Sequence, residues 1–132
     1  MKWQVSILAT HARLLAGVFG LLMITACNES DAPITPQTPA ERGMALVAAN
    51  GCTACHALSD TRGIGPGWGN LYGSTRRLKD GRSVVADEAY LRRAMREPAA
   101  DIVDGFDNVM VPAAVSDAQM ADIIALIREL GN

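Results

Sequence analysis

Cys52-Thr53-Ala54-Cys55-His56 is the most informative stretch of the sequence. Two thiols three residues apart can each form a thioether with one vinyl group of the same porphyrin. The histidine beside the second thiol is then held close to the iron and can coordinate it through an imidazole nitrogen. The pattern C-x-x-C-H therefore predicts covalent attachment of one haem c through Cys52 and Cys55, with His56 as an axial ligand of the iron.

Two other interpretations of the cysteine pair have to be weighed. A bare C-x-x-C can be a redox disulfide or half of a zinc site. A zinc site needs further Cys or His ligands, and the sequence has neither downstream of His56. A thioredoxin-like motif expects a strand followed by a helix, which this segment lacks. The histidine in the fifth position favours haem attachment.

The amino terminus predicts where this chemistry takes place. Residues 14–25 are apolar, a length typical of a signal-peptide core and short for a membrane span of about twenty residues. The tetrapeptide Ile24-Thr25-Ala26-Cys27 resembles a bacterial lipobox, so we predict a lipoprotein signal peptide over 1–26 and lipidation of Cys27. The alternative is an uncleaved amino-terminal anchor with an incidental cysteine. Either arrangement exports the domain to the periplasmic or extracytoplasmic face and tethers it to a membrane.

Composition limits the remaining possibilities. The sequence has 12 basic and 14 acidic residues, and removal of Lys2 and Arg13 with the signal makes the excess of acidic residues larger. This balance argues against nucleic-acid binding. Removal of His11 leaves His56 as the only histidine, which excludes a bis-histidine haem within one molecule. The length of residues 27–132 allows one small domain.

Turn and cap signals divide the mature chain. Residues 27–38 are rich in proline and polar side chains and predict a flexible tether. The haem-binding domain is expected over 39–132, with Met44, Leu46 and Val47 on the apolar side of its first helix. Its expected elements are a helix over 39–49 capped by Thr38, a glycine-rich loop over 59–72, a short hairpin over 78–84, a helix from the cap Asp87 to Glu97, and a last helix from the cap Ser116 to Gly131.

This order of features resembles the small class I cytochromes c over residues 39–132. The C-x-x-C-H pentapeptide, then Gly65-Pro66, then Met110, with a helix at either end, carry the resemblance. The stretches 65–74, 78–93 and 105–110 are most similar to the cytochrome c domain fused to subunit II of some bacterial haem-copper oxidases. No copper domain precedes it here, so the chain looks like that domain placed on a lipid anchor.

The resemblance implies an all-α fold of three to five helices wrapped around one covalent haem, with a short hairpin insertion. It implies that Met110 is the second axial ligand and that the Pro66 carbonyl accepts a hydrogen bond from His56. Trp68 and Tyr72 are expected in the haem pocket, with ordinary core packing as the alternative for both. Gly43 is expected to let the first and last helices cross closely.

The chemistry of methionine supports the same ligand independently. A thioether is a neutral, soft ligand that favours ferrous iron, which suits an electron carrier. Met44 and Met95 fall in predicted helices, where core packing is expected, and Met120 in a first helical turn is a weaker candidate. Val111 separates Met110 from Pro112, whereas the family usually has proline directly after this methionine.

These expectations predict an electron carrier and not an enzyme. The predicted partners are redox proteins: a terminal haem-copper oxidase as acceptor, and a quinol-oxidising complex or small carrier as donor. Two alternatives stay open, an electron-transfer subunit of a dehydrogenase or reductase, and a haem sensor or peroxidase with an open iron site. Basic residues cluster over 76–96 and aspartates over 101–122, which predicts a dipolar molecule that orients during encounter.

Overall fold

The structure is a computed structural model, and it describes residues 37–131. The predicted signal peptide, the lipidation site Cys27 and tether residues 27–36 lie outside the described residues. No helix within 37–131 is long and apolar enough to cross a membrane. The elements in chain order are helix α1 (Pro39–Ala49), a 3₁₀ turn (Cys52–Ala54), strands β1 (Thr75–Arg77) and β2 (Ser83–Val85), helix α2 (Glu88–Arg96) and helix α3 (Asp117–Glu129).

The predicted caps begin all three α-helices. The Thr38 hydroxyl accepts a hydrogen bond from the backbone of Glu41, whose side chain accepts one from the backbone of Thr38. Ser116 and Gln119 form the same reciprocal box at α3, and Asp87 accepts from a backbone N–H at α2. Each such cap is worth about 1 kcal/mol, because it satisfies backbone N–H groups that have no partner inside the helix. The helix starts predicted from sequence are confirmed.

Helices α1 and α3 pack closely, and Gly43 lies where they meet. A Cβ built on Gly43 would lie 2.8 Å from the carbonyl carbon of Asp122, nearer still to its oxygen, and 3.1 Å from Cβ of Leu126. Arg42 donates to both carboxylate oxygens of Asp122, from Nε at 2.9 Å and from a terminal nitrogen at 2.6 Å. This guanidinium lowers the pKa of Asp122 through the hydrogen bond. The close crossing that the resemblance implied is present.

The buried side of α1 differs from the expected one. Ala40, Gly43 and Val47 are buried, and their spacing follows one helical face. Met44, expected on the apolar side, is 39% exposed. The α3 crossing selects small residues for the buried stripe, and a long Met side chain directly beside Gly43 is turned outward.

The two strands form an antiparallel pair that holds the later part of the chain. Thr75 pairs with Val85 and Arg77 with Ser83, so the strands lie just outside the predicted turn. Leu78, which is 1% exposed, forms an isolated bridge with Val103. The hairpin thus attaches the segment that leads towards Met110.

The two charge clusters seen along the sequence do not stay apart in space. Ion pairs join them directly: Arg77–Asp104, Lys79–Asp107, Arg82–Asp101, Arg93–Asp101, Arg92–Asp117 and Arg96–Asp117. The predicted separation of positive and negative surfaces is therefore wrong. The hairpin and α2, which carry the arginines, pack beside the segments that carry the aspartates, so most of the charge cancels locally.

We expect Gly43→Ala to lower the free energy of unfolding by about 1–3 kcal/mol, because the added methyl group meets the backbone of α3. In an exposed helix the same change would stabilise the protein, since alanine has the higher helix propensity. The matched control is Ala45→Gly on the exposed side of α1, expected to cost about 1 kcal/mol. Denaturant titration measures both variants, and an unchanged or raised stability of Gly43→Ala would contradict the close crossing.

Candidate haem site

A cavity of about 470 Å³ lies beside the C-x-x-C-H loop. Its volume falls within the range of roughly 300–1,000 Å³ that is typical of ligand pockets. Apolar side chains of α2 and α3 contribute to its wall, among them Leu91, Ile123 and Ile127. Six of the predicted site residues line it: Cys52, Cys55, His56, Pro66, Trp68 and Met110.

The two cysteines reach the cavity because α1 ends sharply before them. Gly51 adopts a left-handed conformation with φ 68°, which reverses the chain direction at little cost for glycine. The following 3₁₀ turn is closed by backbone hydrogen bonds from Cys55 and His56 to the carbonyl of Cys52. Cys52 is half-buried and Cys55 is exposed, and before a thioether forms, burial raises the pKa of the Cys52 thiol. One turn thus presents both thiols and the imidazole to the same space.

The imidazole of His56 is oriented by Pro66. Its Nδ1 lies 2.8 Å from the Pro66 carbonyl oxygen. A carbonyl oxygen only accepts, so Nδ1 carries the proton and Nε2 is left with a free lone pair. This is the tautomer that an iron ligand requires, and it has the hydrogen bond expected for this pair from sequence.

Close packing around the ring fixes its position further. A Cβ on Gly65 would lie 2.8 Å from Nδ1 of His56, so only glycine allows the backbone this near the imidazole. The indole of Trp68 stacks on the imidazole, with ring centroids 5.3 Å apart and planes inclined by 24°. Trp68 is buried, 7% exposed, as its predicted place in the pocket requires.

Tyr72 does not line the cavity, contrary to its predicted place. Its ring packs beside the hydrophobic core, and the guanidinium carbon of Arg128 lies 4.5 Å from the ring centroid. Its hydroxyl accepts a hydrogen bond of 2.7 Å from the same arginine. The arginine of α3 gives the phenol a polar partner away from the cavity, and sequence alone did not reveal that partner.

Two methionines border the cavity. Met110, 40% exposed, lies in an irregular segment between Gly105 and Ser116, as expected for a ligand loop. Met95 packs against the hydrophobic core, as expected from sequence, and also lines the cavity from α2. Met120 is fully buried in the core. The candidates for a sulfur ligand therefore reduce to Met110 and Met95.

A polar pair on the cavity wall was missed from sequence. Arg76 lines the cavity from β1, and Tyr90 lines it from α2. Every other Arg and Lys side chain within residues 37–131 has a hydrogen bond, ion pair or ring contact, whereas Arg76 has none there. Burial raises the pKa of the Tyr90 phenol, so it stays a neutral O–H donor.

A third polar residue on the wall is Asp101, whose side chain is only 3% exposed. It accepts hydrogen bonds from Arg82 at 2.9 Å and from Nε of Arg93 at 2.6 Å. A buried carboxylate without such partners would be strongly destabilising. Asp101 therefore joins the turn between β1 and β2 to α2 and to the segment that follows α2, at the edge of the cavity.

The residues present fit a haem. The cavity wall is mainly apolar, as a porphyrin ring requires, and the two thiols lie beside an imidazole with a free nitrogen lone pair. Arg76 and Tyr90 supply a cation and a donor that can hold the carboxylates of the propionate groups. This combination fits a protein with one covalently attached haem, and His56 stays the predicted ligand of its iron.

Comparison with known protein families agrees with a haem site in this cavity. The chain belongs to the cytochrome c family, since the Cytochrome c family model matches residues 40–131. Members of this family bind haem c covalently, typically one per domain, and in general carry electrons rather than catalyse reactions. The family decides between the interpretations of the cysteine pair in favour of haem attachment. A comparison with curated proteins found no match to this sequence.

Proposed function

We propose that this protein is a lipid-anchored monohaem cytochrome c that passes single electrons along a respiratory chain to a terminal haem-copper oxidase. One observation carries the proposal: an imidazole with a free Nε2 lone pair and the thioether of Met110 border the same apolar cavity. When bound there, haem c supplies reversible one-electron chemistry at its iron. His56 and Met110 are assigned as the axial ligands.

The surroundings of His56 support a carrier because they keep the ligand in place during electron transfer. Pro66 fixes the tautomer, and Gly65 and Trp68 leave the ring little room to turn. A ligand that is retained in both oxidation states needs little reorganisation. Met110 is preferred to Met95 because it lies in an irregular segment, whose backbone can place sulfur over the cavity without the constraint of a helix.

An apolar rim around the cavity mouth supports docking to redox proteins. Ile64, Val109 and Val111 line the cavity yet are 60%, 61% and 76% exposed. Three large aliphatic side chains exposed around one opening are typical of an interaction surface. Since most nearby charges are already paired within the molecule, apolar contact is expected to contribute more to docking than long-range attraction.

The anchor and the oxidase partner rest on sequence. The lipobox-like residues 24–27 predict a lipid on Cys27, and residues 27–38 predict a flexible tether. A tether holds the domain at high effective concentration near membrane enzymes while it moves between donor and acceptor. The likeness of 65–74, 78–93 and 105–110 to the domain fused to oxidase subunit II favours the oxidase as acceptor.

Two other functions are the alternatives. As a subunit of a dehydrogenase or reductase, the chain would pass electrons within one complex, and would co-purify with it. As a sensor or peroxidase it would need an open position at the iron. Met110 at the cavity argues against the second alternative.

We expect Met110→Ala to remove the far-red sulfur-to-iron charge-transfer band from the spectrum of the ferric protein, because its only proposed sulfur ligand is lost. The matched control is Met95→Leu, which removes the other thioether at the cavity and should keep the band. Loss of the band in Met95→Leu alone would assign the sulfur ligand to Met95. A high-spin spectrum in the unmutated protein, with ready binding of cyanide, would contradict ligation by either methionine and favour the sensor or peroxidase.

We expect Val111→Asp to slow electron transfer from the reduced protein to a terminal haem-copper oxidase about tenfold, since burial of one valine in a contact contributes roughly 1.5 kcal/mol. Stopped-flow oxidation measures the second-order rate constant. Val85→Asp is the matched control, because Val85 is 52% exposed but does not line the cavity. Equal rates for both variants would rule out the apolar rim as the docking surface, and no oxidation by the oxidase would rule out this acceptor.

We expect Cys27→Ser to move the protein from the membrane fraction to the soluble fraction and to abolish incorporation of labelled fatty acid. The thiol is the predicted site of acylation, and serine cannot form the thioether to the lipid. The haem spectrum serves as the control for folding and should not change. A Cys27→Ser protein that stays with the membrane would instead indicate an uncleaved amino-terminal anchor.

A further inference from the structure

Two loops border the cavity and contact each other. The His-side loop, residues 57–67, follows His56 and includes Ile64 to Pro66. The Met-side loop, residues 105–112, carries Met110. Residues of both loops line the cavity, so movement of one loop away from the other would open it.

Within residues 37–131, backbone hydrogen bonds join the Met-side loop to other elements only beside its two ends. Before it, the backbone of Lys79 donates to the carbonyl of Ile102, and that of Asp104 donates to the carbonyl of Arg77, each at 2.8 Å. After it, the backbone of Ala113 donates to the carbonyl of Met95 at 2.8 Å. Between these points the loop is irregular and largely exposed, so local opening costs little compared with global unfolding.

Arg62 of the His-side loop contacts the Met-side loop twice. Its guanidinium carbon lies 4.4 Å from the centroid of the Phe106 ring, a cation–π contact. One of its terminal nitrogens donates a hydrogen bond to the carbonyl oxygen of Gly105. Gly105 has φ 84°, and a Cβ there would lie 3.3 Å from the other terminal nitrogen of Arg62. The backbone turn at Gly105 therefore leaves room for the guanidinium.

No other hydrogen bond or ion pair within residues 37–131 joins these two loops. Among the ion pairs of residues 37–131, one more reaches the Met-side loop: it comes from the hairpin, where Lys79 lies 3.5 Å from Asp107. That carboxylate is 90% exposed, and such surface pairs contribute little. Arg62 is the contact that can couple the two ligand-bearing sides of the cavity.

We infer that Arg62 is a positioning residue that latches the Met-side loop to the His-side loop and so keeps Met110 over the iron. The inference rests on the proposed ligation by Met110. Arg62 acts on the iron only through the loop, and its loss changes how often the loop opens. With haem bound, replacement of Met110 by an external ligand would require that opening: the bond from the Met110 sulfur to iron would break and a bond from the entering nitrogen would form, with no change of oxidation state.

Imidazole binding to the ferric, haem-loaded protein tests the latch. At high imidazole concentration the rate of imidazole binding becomes limited by opening of the Met-side loop. Loss of the far-red band measures this limiting rate. We expect Arg62→Ala to raise this limiting rate about three- to tenfold, the size of an exposed cation–π contact with its hydrogen bond. Arg62→Lys keeps the charge without the planar fork and should give an intermediate rate.

The control is Arg77→Ala, which removes another exposed arginine that pairs with Asp104 just before the Met-side loop, but does not cross the cavity. Its limiting rate should equal that of the unmutated protein. An Arg62→Ala rate equal to both would overturn the latch and leave Met110 ligation untouched. Equal acceleration by Arg77→Ala and Arg62→Ala would likewise overturn it, because any loss of surface charge would then suffice.

Amide hydrogen exchange gives a second readout that does not depend on the sulfur ligand. Backbone N–H groups of Phe106 and Val109 form hydrogen bonds within their own segment, to Val103 and Asp107. In Arg62→Ala both amides should exchange faster, by a factor similar to the increase in the limiting rate of imidazole binding. If the unmutated protein has no far-red band, Met110 ligation fails, while amide exchange still decides whether Arg62 holds the loop.

Discussion

The close crossing of α1 and α3 is the contact on which the haem site depends. Gly43 allows the backbones to meet at Asp122, and Arg42 fixes the register with a two-pronged ion pair to the same aspartate. The C-x-x-C-H turn begins within three residues of the end of α1, while Ile123 and Ile127 of α3 form part of the cavity wall. The distance between the thiols and the apolar wall is thereby set by one helix contact.

The imidazole of His56 is likewise held in place by few contacts. One backbone carbonyl, that of Pro66, determines which ring nitrogen carries the proton, and a missing side chain at Gly65 determines how near the chain can pass. Neither contact uses a titratable partner. The ligand geometry is therefore built from groups whose charge does not change with pH, which suits an iron site whose own charge changes with each electron.

The sequence was sufficient to predict those features whose signal lies within a few neighbouring residues. Capping pairs such as Thr38–Glu41 and the spacing of Cys52, Cys55 and His56 act within a few residues, so helix starts and the haem motif could be predicted. Prediction from sequence failed for side chains whose partners are distant along the chain. Tyr72 was placed in the cavity because its Arg128 partner lies in α3, and Arg76 and Asp101 were missed because their place on the wall depends on how β1 and α2 pack.

Ion pairs between segments that are distant along the chain change the expected charge distribution of the molecule. Along the sequence the arginines and aspartates predict a dipole, yet the fold pairs Arg93 with Asp101 and Arg96 with Asp117. Internal pairing leaves less field outside the molecule to orient a partner, and at the same time it ties α2 to the segments on either side of the Met-side loop. The pairs with the buried carboxylate of Asp101 thus help to hold the cavity wall together, and the docking that we propose relies on the exposed aliphatic residues at the cavity mouth.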